Sequence, residues 1–124
     1  MVLLPIALLL ASSPDVTVRA THAAGEVGYP AGALGYDSLM ARDYRQAEQQ
    51  LLRTGQADRI DSAWMINYGL VLLRTGRHAE AERLFRRAGE LDDGDLELAD
   101  GRVVSSREAA AAAMRQLKVS LAKR

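Results

Sequence analysis

The chain of 124 residues contains no cysteine, so disulfides, thiol nucleophiles and thiolate metal sites are all excluded. Charge of either sign is not in excess, because 16 Lys and Arg balance 16 Asp and Glu. Since phosphate binding needs a basic excess or a basic face, this balance argues against nucleic acid as a partner. The length suits one domain, and 48% apolar and 26% charged residues are ordinary for a globular protein.

Patterns of catalytic residues are absent as well. His22 and His78 are far apart in the sequence, and His22 has no partner at metal-ligand spacing. The serines lack a nucleophile-elbow setting, and no glycine-rich phosphate loop occurs. The acidic cluster around Asp92 lacks the spacing of a calcium loop. We therefore predict that the protein is not an enzyme and uses neither metal nor cofactor.

The N-terminal residues 1–11 form an uncharged apolar run. The run is too short to span a bilayer, which takes about 20 apolar residues. It is typical of a secretory signal, although no basic residue precedes it, and the alternative is a buried first element of the domain. We predict a signal and processing region over residues 1–24, cleaved after Ala11, Ala20 or Ala24. A signal of this kind predicts export, which in a bacterium directs the chain to the periplasm. If the apolar run is not a signal, the protein is expected to be cytoplasmic.

The strongest helical pattern lies between residues 63 and 93. An apolar helix running to Thr75 is ended by Gly76, and a second helix follows from about His78 to Leu91. Residues at three- and four-residue spacing lie on one face of this second helix. They are Ala81, Leu84, Phe85 and Ala88.

The same order of residue types occurs 34 positions earlier. Gly69, Ala81 and Phe85 fall on Gly35, Ala47 and Leu51 at this offset. The period and the pattern resemble the tetratricopeptide repeat family. The residues that match the repeat signature are Gly35, Ala47, Leu51, Gly69, Ala81, Phe85 and Ala88. The family's proline after the second helix is missing, and Thr54 replaces the second small residue of the first unit.

The resemblance implies an all-α fold with two helix–turn–helix repeats, a fragment of an α-solenoid, within residues 25–95. The units cover about residues 28–61 and 62–95. In the first unit we expect helices over residues 31–41 and 44–53, the second capped by Asp43. Asp58 or Asp61 caps the first helix of the second unit.

In this family the first helix of each pair lines a concave surface, which implies a set of partner-binding residues. The candidates are Tyr29, Tyr36, Leu39, Met40, Ile66, Leu70, Leu73 and Arg74. Tyrosine, leucine and methionine suit an apolar or extended peptide. Only Asn67 fits a carboxylate-gripping pattern, so a carboxylate clamp is not predicted. The alternative for each of these residues is packing within the chain.

Two stretches favour β structure. Residues 96–104 carry an Asp-Gly pair between short β-prone runs, which predicts a hairpin. Val16, Thr17 and Val18 can pair as a short strand in an otherwise coil-like stretch.

The last segment, residues 105–124, is predicted to be an amphipathic capping helix. Ser105 and Glu108 form a capping box at its start, and alanines favour the helix. Its apolar stripe is expected to pack against the helix that carries Phe85. The stripe consists of Ala110, Met114, Leu117 and Leu121. Binding to a membrane surface is the alternative for this basic helix, but the stripe is poor in bulky side chains.

These features predict a non-enzymatic module that binds a protein or peptide partner. The main alternative is a structural subunit that assembles with itself as a homo-oligomer. Neither nucleic acid nor a stable membrane span is expected.

Overall fold

The computed structural model describes residues 16–20, 34–56, 60–92 and 94–123. These residues form a mainly helical fold of five helices with a small three-stranded antiparallel sheet. In chain order the elements are β1 (Val18–Ala20), α1 (Tyr36–Met40), α2 (Tyr44–Gln56), α3 (Ser62–Arg74), α4 (His78–Leu91), β2 (Asp95–Leu98), β3 (Val103–Ser105) and α5 (Ser106–Ala122). The helical class and the hairpin are confirmed. The short strand expected at Val16, Thr17 and Val18 lies at Val18–Ala20, where it extends the hairpin to a three-stranded sheet.

The central element is α3, in which every residue except Tyr68 and Arg74 is buried. A helix that is apolar on all sides is stable only when other elements surround it, and α2, α4, α5 and β1 all contact α3. The carboxylate of Asp61 accepts a hydrogen bond of 3.0 Å from the backbone N–H of Trp64 and thereby caps the first turn. Gly76, at φ 84°, adopts the left-handed conformation that ends the helix.

The pair formed by α3 and α4 packs through small and large residues on facing surfaces. Ala81, Phe85 and Ala88 of α4 are buried, as their spacing predicted. A side chain at Gly69 would overlap the ring of Phe85, so the absence of a Cβ there allows the two helices to approach closely. The helix boundaries of α4 match the predicted ones.

The first pair, formed by α1 and α2, differs from its prediction. We expected a helix over residues 31–41, but α1 begins at Tyr36 because Gly35 takes the left-handed conformation at φ 64°. Residues 31–33 lie outside the described part of the chain. The Asp43 carboxylate accepts a hydrogen bond of 3.2 Å from the backbone N–H of Gln46, as expected for the cap of α2. That helix continues to Gln56, beyond its predicted end at residue 53.

The final helix packs against α4 and α3, as a capping helix should. Its first turn is capped by Ser105, whose hydroxyl accepts a hydrogen bond of 3.1 Å from the N–H of Glu108. The predicted stripe is correct at Ala110 and Leu117 but wrong at Leu121, which is 42% exposed. The last turn of α5 extends beyond the packed part of the helix, so that Leu121 faces solvent. The face that is buried consists of Ser106, Ala109, Ala110, Ala113 and Leu117.

The sheet has the order β1-β2-β3. Asp100 and Gly101 form the tight turn between β2 and β3, with Gly101 at φ 88°. Strand β1 pairs antiparallel with β2, with Val18 opposite Leu98. The buried amide of Asn67 holds β1 on α3: its oxygen accepts from the N–H of Val18 at 2.9 Å, and its nitrogen donates to the carbonyls of Val18 and Leu34 at 2.7 and 2.9 Å. Asn67 is therefore a structural residue that joins the N-terminal strand to the helices.

Candidate binding groove

The side chains predicted to bind a partner do not form one open surface. Leu39, Ile66, Leu70 and Leu73 are buried in the hydrophobic core. Packing of α2, α4, α5 and β1 around α3 covers the surface that two bare repeats would expose. For these four residues the burial favours the alternative, packing within the chain, since core side chains cannot reach a partner while the fold is intact.

The other four candidates lie in different places. Met40 is 44% exposed at the end of α1. The ring of Tyr36 lies under the guanidinium carbon of Arg19 at 5.1 Å, and Arg19 pairs with Glu97 at 2.6 Å, so Tyr36 packs on the sheet. Tyr29 lies outside the described residues. Arg74 is exposed, and it lines a concave site.

That site is a groove of about 520 Å³, which we call the basic groove. It lies where the end of α3, the start of β3 and the outer face of α5 meet. Four cationic side chains line it, and none of the lining residues that the structure describes is acidic. The cations are Arg74, Arg102, Arg115 and Lys123.

Only one of these cations is neutralised by a neighbouring carboxylate in the part of the chain that the structure describes. The Nε of Arg102 donates to the carboxylate of Asp100 at 2.8 Å. The pKa of Asp100 is lowered, mainly by the hydrogen bond from the backbone N–H of Arg102 and then by the one from its side chain. Arg74 donates to the side-chain carbonyl of Gln116 at 3.3 Å. Among the described residues, no carboxylate lies within 4 Å of Arg74, Arg115 or Lys123. The groove is therefore locally positive although the chain as a whole is neutral.

The rest of the groove is a mixture of apolar and uncharged polar groups. Val16, Ala112 and Val119 supply apolar surface, and Gln116 and Ser120 supply hydrogen-bonding groups. Val119 is 54% exposed, whereas Val16 is buried at the base of β1. Binding sites commonly combine apolar walls with a few polar groups in this way, and the cations add a preference for negative charge.

A second polar cluster joins α2 to the second pair. The guanidinium of Arg77 makes two contacts of 3.0 Å with the carboxylate of Glu48, and the hydroxyl of Tyr68 donates to the same carboxylate at 3.1 Å. The hydrogen bond from Arg77 lowers the pKa of Glu48 against a smaller opposing effect of burial, while burial raises the pKa of Tyr68. Because these groups form hydrogen bonds with one another, the cluster acts as a structural link between helices.

The described residues contain no group of three or more His, Asp or Glu side chains placed to hold a metal ion. Among the helices described, none is both long and apolar enough to cross a bilayer.

Most of the basic groove was not visible in the sequence. The sequence indicates a basic helix at α5, and the repeat resemblance implies Arg74 as a binding residue. No local signal connects these residues with Arg102 and Val16, which come from distant segments.

Neither a protein-family model, nor a curated protein, nor a solved structure matches this chain. Membership of the tetratricopeptide repeat family therefore stays a prediction.

Proposed function

We propose that the protein is a non-enzymatic interaction module, similar to tetratricopeptide repeat adaptors, which binds a segment of a partner protein in the basic groove. The observation that carries this proposal is the groove itself. It is concave, it is lined from four separate segments of the chain, and three of its cations lack a carboxylate partner among the described residues. The packed helices α3, α4 and α5 provide the rigid support that such a site needs.

Photo-crosslinking in the cells that produce the protein tests this function. A photoreactive phenylalanine analogue replaces Val119, an exposed residue of the groove, or Leu52, which is comparably exposed on α2. We expect a crosslinked partner from position 119 and none from position 52. Crosslinks only to a second copy of this chain would contradict the proposal and support the self-assembling subunit, as would a dimer in sedimentation velocity.

We also propose that the protein is exported, on the basis of the apolar N-terminal run. The fold restricts where cleavage can occur. Cleavage after Ala20 or Ala24 would remove β1, uncover core residues and leave the amide of Asn67 without its partners on Val18. Cleavage after Ala11 would retain β1. Mass spectrometry of the native protein should therefore show a chain that begins before Val16, and an intact Met1 would contradict export.

A further inference from the structure

We propose that the segment bound in the basic groove is extended and carries at least two acidic side chains. This inference rests on the proposed function and names the chemistry of its partner. It depends on which charges line the groove, how far apart they lie, and which side chains are missing from it.

The positive charge of the groove is complementary to an acidic ligand. Arg74, Arg115 and Lys123 face the groove, and no carboxylate among the described residues lies within ion-pair distance of any of them. Elsewhere in the fold, Arg19, Arg77, Arg86, Arg87 and Arg107 each pair with a carboxylate of the chain itself. Exposed cations such as Arg45 and Arg83 have no ion pair among the described residues either, but they do not line the groove. Unneutralised cations that converge on one concavity attract an anionic ligand and disfavour a cationic one.

The spacing of Arg115 and Lys123 matches that of side chains on one side of an extended peptide. Arg115 and Lys123 are eight positions apart at the C-terminal end of α5, which corresponds to about 12 Å along a helix axis. In an extended peptide, side chains four positions apart project to the same side at a separation of about 13 Å. Two carboxylates at that spacing can therefore contact both cations, while the residues between them lie along Val119.

None of the lining residues that the structure describes is aromatic. Proteins that bind single-stranded nucleic acid combine phosphate contacts with stacking of bases on aromatic rings. The lining instead provides small apolar surfaces and the side chains of Gln116 and Ser120, which suit a peptide. A membrane surface is too flat to fill the concavity, so the groove favours a peptide over a bilayer.

Fluorescence anisotropy tests the proposal with synthetic probes. The acidic probe is a labelled twelve-residue peptide of Ala, Ser and Val with Glu at two positions four apart, and two matched probes carry Gln or Lys at these positions. We expect the Gln probe to bind about tenfold more weakly than the acidic one, which corresponds to the loss of two partly exposed ion pairs. Raising the salt concentration should weaken only the acidic probe.

Charge-reversal variants locate the binding. The double variant Arg115→Glu/Lys123→Glu should lower the affinity for the acidic probe by about tenfold or more. The control Arg45→Glu/Arg83→Glu has the same net charge and alters exposed residues of α2 and α4, and its affinity should stay within about twofold of the parent. Circular dichroism shows whether both variants remain folded.

The alternatives produce different results. Equal binding of the acidic and Gln probes would overturn the inference about charge and leave the interaction function standing, as tested by crosslinking at position 119. Failure of every probe to bind would overturn the inference as well. Binding of anionic phospholipid vesicles or single-stranded DNA that is lost in the groove variant, without binding of the acidic peptide, would replace the peptide with that other ligand.

Discussion

The two helix pairs carry similar residues 34 positions apart, yet they fold differently. Gly69 lies in the middle of α3, where the ring of Phe85 occupies the space that a side chain would need. Gly35 lies before α1 in a left-handed conformation, and an added Cβ would be 3.2 Å from the carbonyl oxygen of Ala47. A shared pattern of small and large residues therefore does not ensure that aligned residues have equivalent positions in a helix.

The pairs also differ in what covers them. The second pair is completed by α5, which packs on α4 as a third helical layer. The first pair is attached through α2, which packs against α3 less extensively than α4 does. Its links to the second pair are polar as well as apolar, since Trp64 donates to the carbonyl of Leu51 at 2.7 Å and Arg77 pairs with Glu48. The difference indicates that α3, α4 and α5 form the stable unit of the fold.

The largest effect should come from removing α5. A chain truncated after Val104 loses the buried face of Ala109, Ala110, Ala113 and Leu117 and exposes the facing surface of α4. Burial of Leu117 alone contributes about 1.5–3 kcal/mol, a large share of the stability of a small domain. We expect a molten or aggregated chain in thermal melts and size-exclusion chromatography. A monomer that unfolds cooperatively at the temperature of the parent would show that the second pair does not need α5.

Substitutions in the second pair should follow in magnitude. Phe85→Ala leaves a cavity beside Gly69 and should lower the free energy of unfolding by about 3–5 kcal/mol. Ala81→Glu buries an unpaired charge and should cost several kcal/mol. Urea denaturation measures both, with the exposed Arg83→Ala of the same helix as a control within about 0.5 kcal/mol of the parent. Parental urea midpoints for the first two variants would mean that α3 and α4 do not pack as described.

The link between β1 and the helices is predicted to have an intermediate effect. Asn67→Ala leaves the N–H of Val18 and two buried carbonyls without their partners, and we expect a cost of about 2–3 kcal/mol. Exchange of the Val18 amide proton should accelerate more than that of amides in α4. The exposed Gln49→Ala serves as the control. Unchanged exchange at Val18 would show that pairing with β2 holds the strand without Asn67.

The smallest effect should be the pH dependence of the link between the pairs. The pKa of Glu48 is lowered in the folded protein, so this link stabilises the fold above the ordinary value of 4.5 and is lost as the pH falls through the lowered value. Glu48→Gln should cost about 0.5–1 kcal/mol at neutral pH, because the pair is partly exposed, and nothing in strong acid. Urea midpoints of the parent and the variant, measured from neutral pH to strong acid, give this cost at each pH. The exposed Glu90→Gln serves as the control. An equal cost at both extremes of pH would attribute the effect to packing.

Much of the fold was predictable because its signals are local. The capping residues Asp61 and Ser105, the spacing of Ala81, Phe85 and Ala88, and the Asp100-Gly101 turn each determine an element from a few neighbouring residues. The early start predicted for α1 was wrong because Gly35 takes a left-handed conformation immediately before the helix.

The binding groove and the partners of β1 were not predictable in the same way. Asn67 and Val18 are 49 positions apart, and nothing near either residue indicates the other. Ile66 and Leu70 are buried because other elements cover α3, and the repeat pattern does not predict which elements these are. Arg74, Arg102 and Arg115 meet only after the sheet and α5 have packed, so their common charge appears only in the tertiary structure.

Native-state hydrogen exchange measures most directly whether α3, α4 and α5 form one unit to which the first pair is attached. We expect the backbone amides of residues 66–73, 81–88 and 110–117 to exchange only through global unfolding. Amides of residues 47–54 in α2 should open at a lower free energy, because fewer apolar side chains of that helix are buried. Equal protection of all four segments would contradict this division and would indicate that the two helix pairs are energetically equivalent after all.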